Sequence, residues 1–178
     1  MESHAERTVR VRAAYQEARA RFATRLRDAS DADVHRTPEG GGWSAAQIGW
    51  HVAAVDASFA AILSGEVAAA RPLPGGTAAR TWPEIAAAIP ERIEAGRRVQ
   101  PPADVRRDDV LQALEESWRK LDAALAALPE DRAATHAITH PVIGVVALGQ
   151  IGEWAAAHAA RHNAQAKRAL ADASASGS

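Results

Sequence analysis

The sequence predicts an all-α protein, a four-helix bundle with a long Pro/Gly-rich crossover between its second and third helices. Alanine dominates the apolar residues and only 4% of the chain is aromatic, a composition that favours helices. Four long stretches repeat apolar residues at alternating steps of three and four, the period of an amphipathic helix. Residues 65–107 separate two of these stretches and hold six prolines, so this connection can cross the body of a bundle.

The composition limits the class of protein. A chain of 178 residues predicts one domain, residues 1–172, with a low-complexity tail, residues 173–178, that we expect to be disordered. The 21 basic and 22 acidic side chains leave a net charge of −1. This balance predicts no electrostatic attraction of the whole chain to nucleic acid or to an acidic membrane. The sequence contains no cysteine, which excludes disulfides, thiolate metal ligands and a cysteine nucleophile.

The expected compartment is the cytoplasm. The first residues lack the apolar core of a signal peptide, and no apolar run reaches the length that we expect of a bilayer span. We therefore expect neither a membrane nor a nucleic acid as a partner.

The first predicted helix covers residues 6–28, which contain neither glycine nor proline. One face is apolar and the other is crowded with arginine. Such a basic face is typical of a nucleic-acid-binding helix or of a solvated surface, and the balanced total charge favours the solvated surface. The apolar face consists of Val11, Tyr15, Ala18, Phe22 and Leu26. The arginines are Arg7, Arg10, Arg12, Arg19, Arg21, Arg25 and Arg27.

The second predicted helix has the clearest start. It follows a polar loop, residues 29–42, in which His35 is expected to be solvated. Ser44 is a good N-cap, and Gln47 three residues later completes a capping box. The helix runs to about Ser64 and Gly65. Its inward stripe is Ile48, His51, Val55, Ser58 and Ile62, widened by Val52 and Phe59.

The remaining elements follow from apolar seams and helix breakers. Within the crossover a short helix begins at Trp82 and runs to about Gly96. A third long helix covers residues 108–128, residues 129–146 form a second loop, and the last helix covers residues 147–171. A connection as long as the crossover is often a lid or a wall over a site.

Two histidines on the last helix are the strongest candidates for a site. His158 and His162 are four residues apart, so their rings stack on one face of the helix, and that face is a core seam. His51 also faces inward from the second helix. A buried imidazole is costly unless hydrogen bonds or a metal satisfy it, and the pattern alone leaves both alternatives open. The seam is Leu148, Ile151, Ala155, His158, His162, Gln165 and Ala169.

A metal site is the more specific of these two alternatives. Three imidazoles from two helices fit an N₃ site, and they leave coordination positions open for water or substrate, whereas closed structural zinc sites use four protein ligands. We therefore predict a divalent metal ion held by His51, His158 and His162. Imidazole suits several metals, and zinc is the first expectation and nickel the second.

Polar residues near this seam have predicted supporting roles. Gln165 lies on the face of the two histidines and could accept the outer N–H of a ligand ring. Gln47 is predicted to cap its helix. Asp56 and Glu153 are predicted to point away from the histidines, Asp56 as a carboxylate facing solvent.

The loop before the last helix holds two further histidines, His136 and His140. His140 precedes Pro141 near one end of the predicted bundle. It could donate a proton at the mouth of the metal site, or it could fix the turn.

Two motifs resemble those of the DinB/YfiT-like superfamily of metalloenzymes. Residues 43–52 read W-S-A-A-Q-I-G-W-H-V, which is similar to the family pattern W-[ST]-x-x-[EQ]-h-x-x-H-[LV]. Residues 140–144 read H-P-V-I-G and residues 158–165 read H-A-A-R-H-N-A-Q. This second set is similar to H-P-x-x-G followed by H-x-x-[RH]-H-x-x-[QH].

The resemblance implies a fold, a cofactor and a class of substrate. It implies a four-helix bundle, often dimeric, in which a divalent metal is held by His51, His158 and His162. Some members resemble transferases that join low-molecular-weight thiols such as bacillithiol or mycothiol to electrophiles. Others are treated as metal-dependent hydrolases, and many have no assigned activity. A small-molecule substrate and a homodimer are therefore expected.

Three hypotheses about function follow. In the first, a transferase uses a metal-bound thiolate against an electrophile, and the absence of cysteine fits because the cosubstrate supplies the sulfur. In the second, a hydrolase uses a metal-bound hydroxide, but the inward faces show no obvious carboxylate as a general base. In the third, the chain is a non-catalytic, stress-related bundle that binds metal. Catalytic residues other than the metal ligands are not assigned.

Overall fold

The computed structural model describes residues 3–89, 95–141 and 143–175, and these are mostly helical. The helices are α1 (His4–Asp28), α2 (Asp31–His35), α3 (Ala45–Ser64), α4 (Trp82–Ala88), α5 (Arg107–Ala127), α6 (Glu130–Thr135) and α7 (Ile151–Ala175). A 3₁₀ turn, Leu148–Gln150, leads into α7. A small antiparallel sheet has the order β1 (Arg71–Pro72), β2 (His136–His140) and β3 (Gly144–Ala147).

The four long helices α1, α3, α5 and α7 form the body of the fold. α3 packs most extensively against α5, and α1 against α7, while α3 also contacts α7 and α1 also contacts α5. The other two pairs of long helices touch little, so each long helix has two main neighbours. The helices that carry the three candidate ligands, α3 and α7, are therefore direct neighbours.

The core is made by the apolar faces of these four helices. The predicted face of α1 is confirmed, since Tyr15, Phe22 and Leu26 are fully buried. On α5 the seam buries Leu114 and Leu121 against the other helices. Two buried apolar clusters result, one that includes Tyr15 and Leu121 and another that includes Phe22 and Leu114.

The start of α3 is confirmed in atomic detail. The Oγ of Ser44 accepts a hydrogen bond from the Gln47 N–H, and the Oε1 of Gln47 accepts one from the Ser44 N–H. The helix ends at Ser64, where Gly65 adopts the left-handed conformation with φ at 86°. A capping box and a left-handed glycine therefore fix both ends of the helix that carries His51.

The buried arc of α3 is wider than the predicted stripe. Val52 and Phe59, which are predicted to widen the stripe, are buried, and so is Leu63, which the prediction did not include. Ser58 is exposed, and Val55 and Ile62 are only partly buried. The helix lies between α5 and α7, so it must bury more than one narrow stripe. Within the described residues it is also the one helix long and apolar enough to cross a membrane by length and composition, contrary to the sequence-based expectation. Over half of that apolar window, 56%, is buried inside the fold, which is the pattern of a core helix.

The prediction that residues 29–42 form a loop without a helix is wrong, because this segment contains α2. The Oγ of Ser30 accepts a hydrogen bond from the Asp33 N–H, and Val34 is fully buried. One N-cap and one buried apolar side chain are enough to hold this short helix against α3.

The prediction of a second loop at residues 129–146 is also wrong. This segment contains α6 and a hairpin in which β2 pairs with β3 and places Ile138 opposite Val146. Both of these side chains are buried, and Gly144 adopts a φ of 75° at the start of β3. Branched apolar residues on either side of a glycine favour such a hairpin.

The boundaries of two helices, α4 and α7, differ from the predicted ones by several residues. Helix α4 ends at Ala88, short of the predicted end at Gly96, and residues 90–94 lie outside the described part of the chain. Helix α7 begins after a 3₁₀ turn and continues to Ala175. The predicted tail is therefore helical at residues 173–175, and residues 176–178 are not described.

The arginine face of α1 is less solvated than the sequence predicts. Several of these arginines reach across to neighbouring helices, and Arg19 is only 6% exposed. Several of these arginine side chains therefore connect α1 to other helices of the fold. The interhelical pairs are Arg7–Glu153, Arg10–Glu153, Arg12–Asp122, Arg19–Asp56 and Arg25–Asn163.

Gly49 allows α3 to approach α1 and α5 closely. A Cβ at this position would lie 2.7 Å from Val110 Cγ1 and 2.9 Å from Leu26 Cδ1. We expect Gly49→Ala to lower the free energy of unfolding by about 1–3 kcal/mol, because overpacking outweighs the better helix propensity of alanine. Urea unfolding measures the loss. Gly75→Ala is the control, since its Cβ would meet nothing within 4 Å, and an equal loss in both variants would contradict the packing argument.

Candidate metal centre

Three histidine rings meet between α3 and α7. The Nε2 atoms of His51 and His158 are 3.2 Å apart, and one ring nitrogen from each of His51, His158 and His162 lies within 4.8 Å of the other two. The ring centroids are separated by 4.3–5.2 Å. The structure therefore brings together the three side chains that the spacing in the sequence singles out.

Two of these rings have a fixed acceptor at the outer nitrogen. The Nδ1–H of His51 donates to the carbonyl oxygen of Val99 at 2.7 Å, since a carbonyl can only accept. The Nδ1 of His162 lies 2.8 Å from the Oε1 of Gln165, the residue predicted for this role. Each neutral ring then keeps its lone pair on Nε2, which is the atom left for a metal.

His158 is the ring that hydrogen bonds do not satisfy. Its Nε2 faces His51, while its Nδ1 is buried and has no hydrogen-bond partner among the described residues. Buried polar atoms in proteins nearly always have a partner. The alternative of three core histidines satisfied by hydrogen bonds therefore does not account for this ring.

The surroundings keep all three rings neutral. Burial lowers the pKa of His51, and burial together with the neighbouring His162 and His51 holds the pKa of His158 well below its ordinary value. Burial, followed by the nearby His51, lowers the pKa of His162 to about 3. Metals bind the neutral imidazole, so this is the protonation state that a metal site needs.

The donor set fits a divalent transition metal. Nitrogen ligands placed tetrahedrally around zinc at 2.0–2.1 Å lie roughly 3.3 Å apart, close to the 3.2 Å between His51 and His158. Three neutral imidazoles suit zinc, nickel, iron or copper and leave at least one position for another ligand. The arrangement can therefore hold a metal and still present it to a small molecule.

Two of the three rings of the centre are buried. His51 is 7% exposed and His162 is 8% exposed, whereas His158 is partly exposed. The Trp43 ring packs beside His51 with a centroid separation of 4.9 Å. Gln47 is not part of the cluster: besides capping α3, its Nε2 donates to the carbonyls of Pro102 and Ala103.

The two histidines of the hairpin have different positions. His140 is close enough to His158 to lower its pKa, and its Nδ1 accepts a hydrogen bond from the Ile143 N–H at 3.3 Å. His140 therefore fixes the turn between β2 and β3, while a role as a proton donor stays a prediction. His136 lies outside the cluster, with its Nδ1 2.9 Å from the Oγ1 of Thr135.

The prediction that Asp56 faces solvent is wrong. Asp56 is fully buried, accepts a hydrogen bond from the Tyr15 hydroxyl at 2.6 Å and lies 3.4 Å from the Arg19 guanidinium. Glu153, only 4% exposed, is held by Arg7. Neither carboxylate belongs to the histidine cluster, so both are engaged elsewhere in the core.

Comparison with protein families decides which family the chain belongs to. The family model of the DinB superfamily matches residues 14–166. The chain belongs to the DinB superfamily. Comparisons with curated proteins and with solved structures found no match. The matched span includes His51, His158, His162 and Gln165, so the whole centre lies within the DinB region of the chain.

Two contributors to this DinB-superfamily centre were not predicted from the sequence. Val99 takes part through its backbone carbonyl, which any residue type could supply, so its identity carries no signal. Trp43 carries a weak signal, because it is a large aromatic residue directly before the N-cap of the helix that holds His51.

Gln165 should tune the affinity of the centre for metal. Gln165→Leu removes the acceptor at His162 Nδ1, and partners of this kind typically contribute 10- to 100-fold in metal affinity, so we expect a loss of about that size for zinc. Competition with a chelating dye measures it. Gln112→Leu on the exposed face of α5 is the matched control, and an equal loss in both variants would contradict the role of Gln165.

Proposed function

We propose that this DinB-superfamily chain is a metal-dependent transferase that joins a low-molecular-weight thiol to an electrophilic substrate. The observation that carries the proposal is the N₃ cluster of His51, His158 and His162. Its three rings are kept neutral by burial, and the Nδ1 of His158 has no hydrogen-bond partner among the described residues. Family membership supports a metal-dependent function. The thiol and the transfer reaction are the further step that we propose.

The residues of the chain would perform three tasks. The three histidines bind the metal, and Val99 and Gln165 hold two of the rings in the tautomer that leaves Nε2 free. The buried His51 and His162 limit the access of water to the reacting atoms. A bound divalent metal supplies positive charge that lowers the pKa of a coordinated thiol or water.

The proposed reaction forms one bond to sulfur. The thiol gives its proton to solvent, sulfur bonds to an electrophilic carbon, and a leaving group departs with its bonding electrons. Among the described residues, the two buried carboxylates nearest in sequence to the ligands, Asp56 and Glu153, are engaged by arginines. That favours a thiol nucleophile over activated water, because a thiol, with a pKa of about 8.5, needs a much smaller shift than water, at about 15.7, to act without a general base.

The test compares zinc-loaded and nickel-loaded protein with a His162→Ala variant. Small thiols, such as cysteine or bacillithiol, are mixed with 1-chloro-2,4-dinitrobenzene, and the absorbance of the thioether product is followed. We expect metal-dependent thiol consumption that the variant loses. No consumption above the variant, combined with metal-dependent hydrolysis of p-nitrophenyl acetate, would instead establish the hydrolase alternative. A metal-loaded protein inactive in both assays would establish the non-catalytic alternative.

Finer features of the chain belong to the same proposal. We infer that the four long helices form a four-helix bundle. Residues 65–106 are then the crossover that connects α3 to α5. Zinc is the proposed resident metal, with nickel second. We further propose that the protein is a cytoplasmic homodimer. We propose that it acts on a small-molecule substrate and binds neither nucleic acid nor a membrane.

A further inference from the structure

A groove of about 600 Å³ opens where α3 and α5 begin. Its walls are the first turns of these two helices, residues 102–106 of the crossover, and the segment that follows α2. None of the three histidines lines it. Its size is typical of pockets that bind small molecules, and we call it the α3–α5 groove.

The groove is lined by carboxylates that have no partner in the described part of the chain. Asp104 and Asp109 are exposed, and neither carboxylate makes a hydrogen bond or an ion pair with a described residue. The Nδ1–H of His35 donates to the Asp31 carbonyl at 2.7 Å. Two carboxylates without a partner among the described residues therefore line one cavity.

The same cavity has an aromatic and apolar surface. Trp50 and Val105 line it and are partly buried, and Val110 is fully buried. The face of an indole ring attracts both cations and flat apolar groups. The groove therefore combines a surface for an apolar body with carboxylates for a charged end.

The balance of charge favours a cationic ligand. Arg106 is the one basic side chain, apart from His35, in the lining of the groove, against the carboxylates of Asp104 and Asp109. The positive ends of the two helices are already offset, since Ser44 caps α3 and Asp108 and Asp109 lie in the first turn of α5. An anion would be repelled by two carboxylates, whereas an ammonium group could donate N–H bonds to both of them.

We propose that the α3–α5 groove binds a small molecule that carries a cationic amine on an apolar or aromatic body. The ammonium group donates to Asp104 and Asp109, and the body packs on Trp50 and Val105. This site does not depend on the proposed transferase function. It shares a wall with the metal centre, because Gln47 lines the groove one helical turn before His51 and holds the carbonyls of Pro102 and Ala103 at 3.1 and 3.3 Å.

The test uses three probes of one shape: benzylammonium, benzyl alcohol and benzoate. Each is titrated to about 10 mM into the full ¹⁵N-labelled chain, zinc-loaded and zinc-free, and amide and indole shifts are followed by NMR. We expect benzylammonium to bind with a dissociation constant of about 1 mM or tighter, as suits so small a fragment. The shifts should lie at residues 102–106 and at the Trp50 indole. The alcohol should bind at least roughly tenfold more weakly, and benzoate should give no shifts.

Two variants assign the binding to the groove. The Asp104→Asn/Asp109→Asn double variant should lose at least about tenfold in affinity, a factor that one charged hydrogen bond easily accounts for. Asp108→Asn is the matched control, since Asp108 is exposed on α5 but does not line the groove, and it should bind as the unmodified chain does. Equal shifts with benzoate, no shifts with benzylammonium, or an undiminished affinity in the Asp104→Asn/Asp109→Asn variant would each overturn the proposal.

Discussion

Zinc should stabilise the chain strongly against heat, and His162→Ala should remove almost all of that stabilisation. Zinc at a thousand times its dissociation constant stabilises the folded state by about 4 kcal/mol. For a chain of this length that corresponds to a rise in melting temperature of roughly 8–16 °C. We expect less than about 1 kcal/mol in the variant, because two remaining imidazoles bind a metal weakly. Calorimetry with zinc, without zinc and after addition of a chelator measures the zinc-dependent stabilisation of the unmodified chain and of the variant.

The control for this experiment is another histidine. His136→Ala removes an imidazole from the hairpin, outside the cluster, and should leave the zinc-dependent rise unchanged. The metal-free melting temperatures of all three proteins must also be compared, since His162→Ala leaves the Gln165 amide without its partner. An equal rise with zinc in His162→Ala and in the unmodified chain would show that the metal binds elsewhere.

The three histidines could be found from the sequence because their positions follow from helix geometry alone. His158 and His162 are one turn apart on a seam of apolar residues, and His51 follows a capping box that fixes the phase of α3. Gln165 could be found for the same reason, since it is three residues after His162 on the same face. The spacing of residues along one helix was therefore sufficient to identify a site residue wherever its partner lies on the same helix.

Asp56 could not be found in this way, because its partners lie on another helix. Tyr15 and Arg19 precede Asp56 by about 40 residues in α1, and no local pattern reports that they meet. The predicted stripe of α3 excluded Asp56 since the helix was treated as having one buried face. Packing between two neighbours buries a wider arc, which includes this carboxylate.

The hairpin and Val99 were missed for a different physical reason. Strands β2 and β3 have only five and four residues, too few to show a clear alternation, and β1 has two. Pairing between strands that are distant in sequence depends on where the helices place them. Val99 acts through its carbonyl oxygen, so the property that matters is its position between α4 and α5 rather than its side chain.

The buried pair of Arg19 and Asp56 should have the largest effect on stability outside the metal centre. Arg19→Met leaves a fully buried carboxylate without its cation, and we expect a loss of about 3–5 kcal/mol near pH 8. Arg19 also donates to the Leu114 carbonyl, which loses its partner in the variant. Urea unfolding at a series of pH values measures the loss.

The pH dependence of this loss has a definite sign. Burial raises the pKa of Asp56 to about 6, although Arg19 and the Tyr15 hydroxyl act in the opposite direction. The contribution of Asp56 to the free energy of unfolding is therefore fully present below about pH 4, the usual pKa of a free aspartate. This contribution declines as the pH rises through 6. Without Arg19 the pKa rises further, so the decline continues to higher pH. The difference between the two proteins should be smallest near pH 5 and largest near pH 8.

Two further variants separate lost charge pairing from lost packing. Arg19→Met/Asp56→Asn removes both charges and should recover most of the stability at pH 8, since replacing a whole buried pair often costs little. Arg12→Met breaks a similar pair with Asp122 on α5, but both side chains are partly exposed, so the loss should be about 1 kcal/mol or less. If Arg19→Met loses the same free energy at pH 5 and pH 8, Asp56 does not depend on Arg19 as its counter-charge, and the loss arises from packing alone.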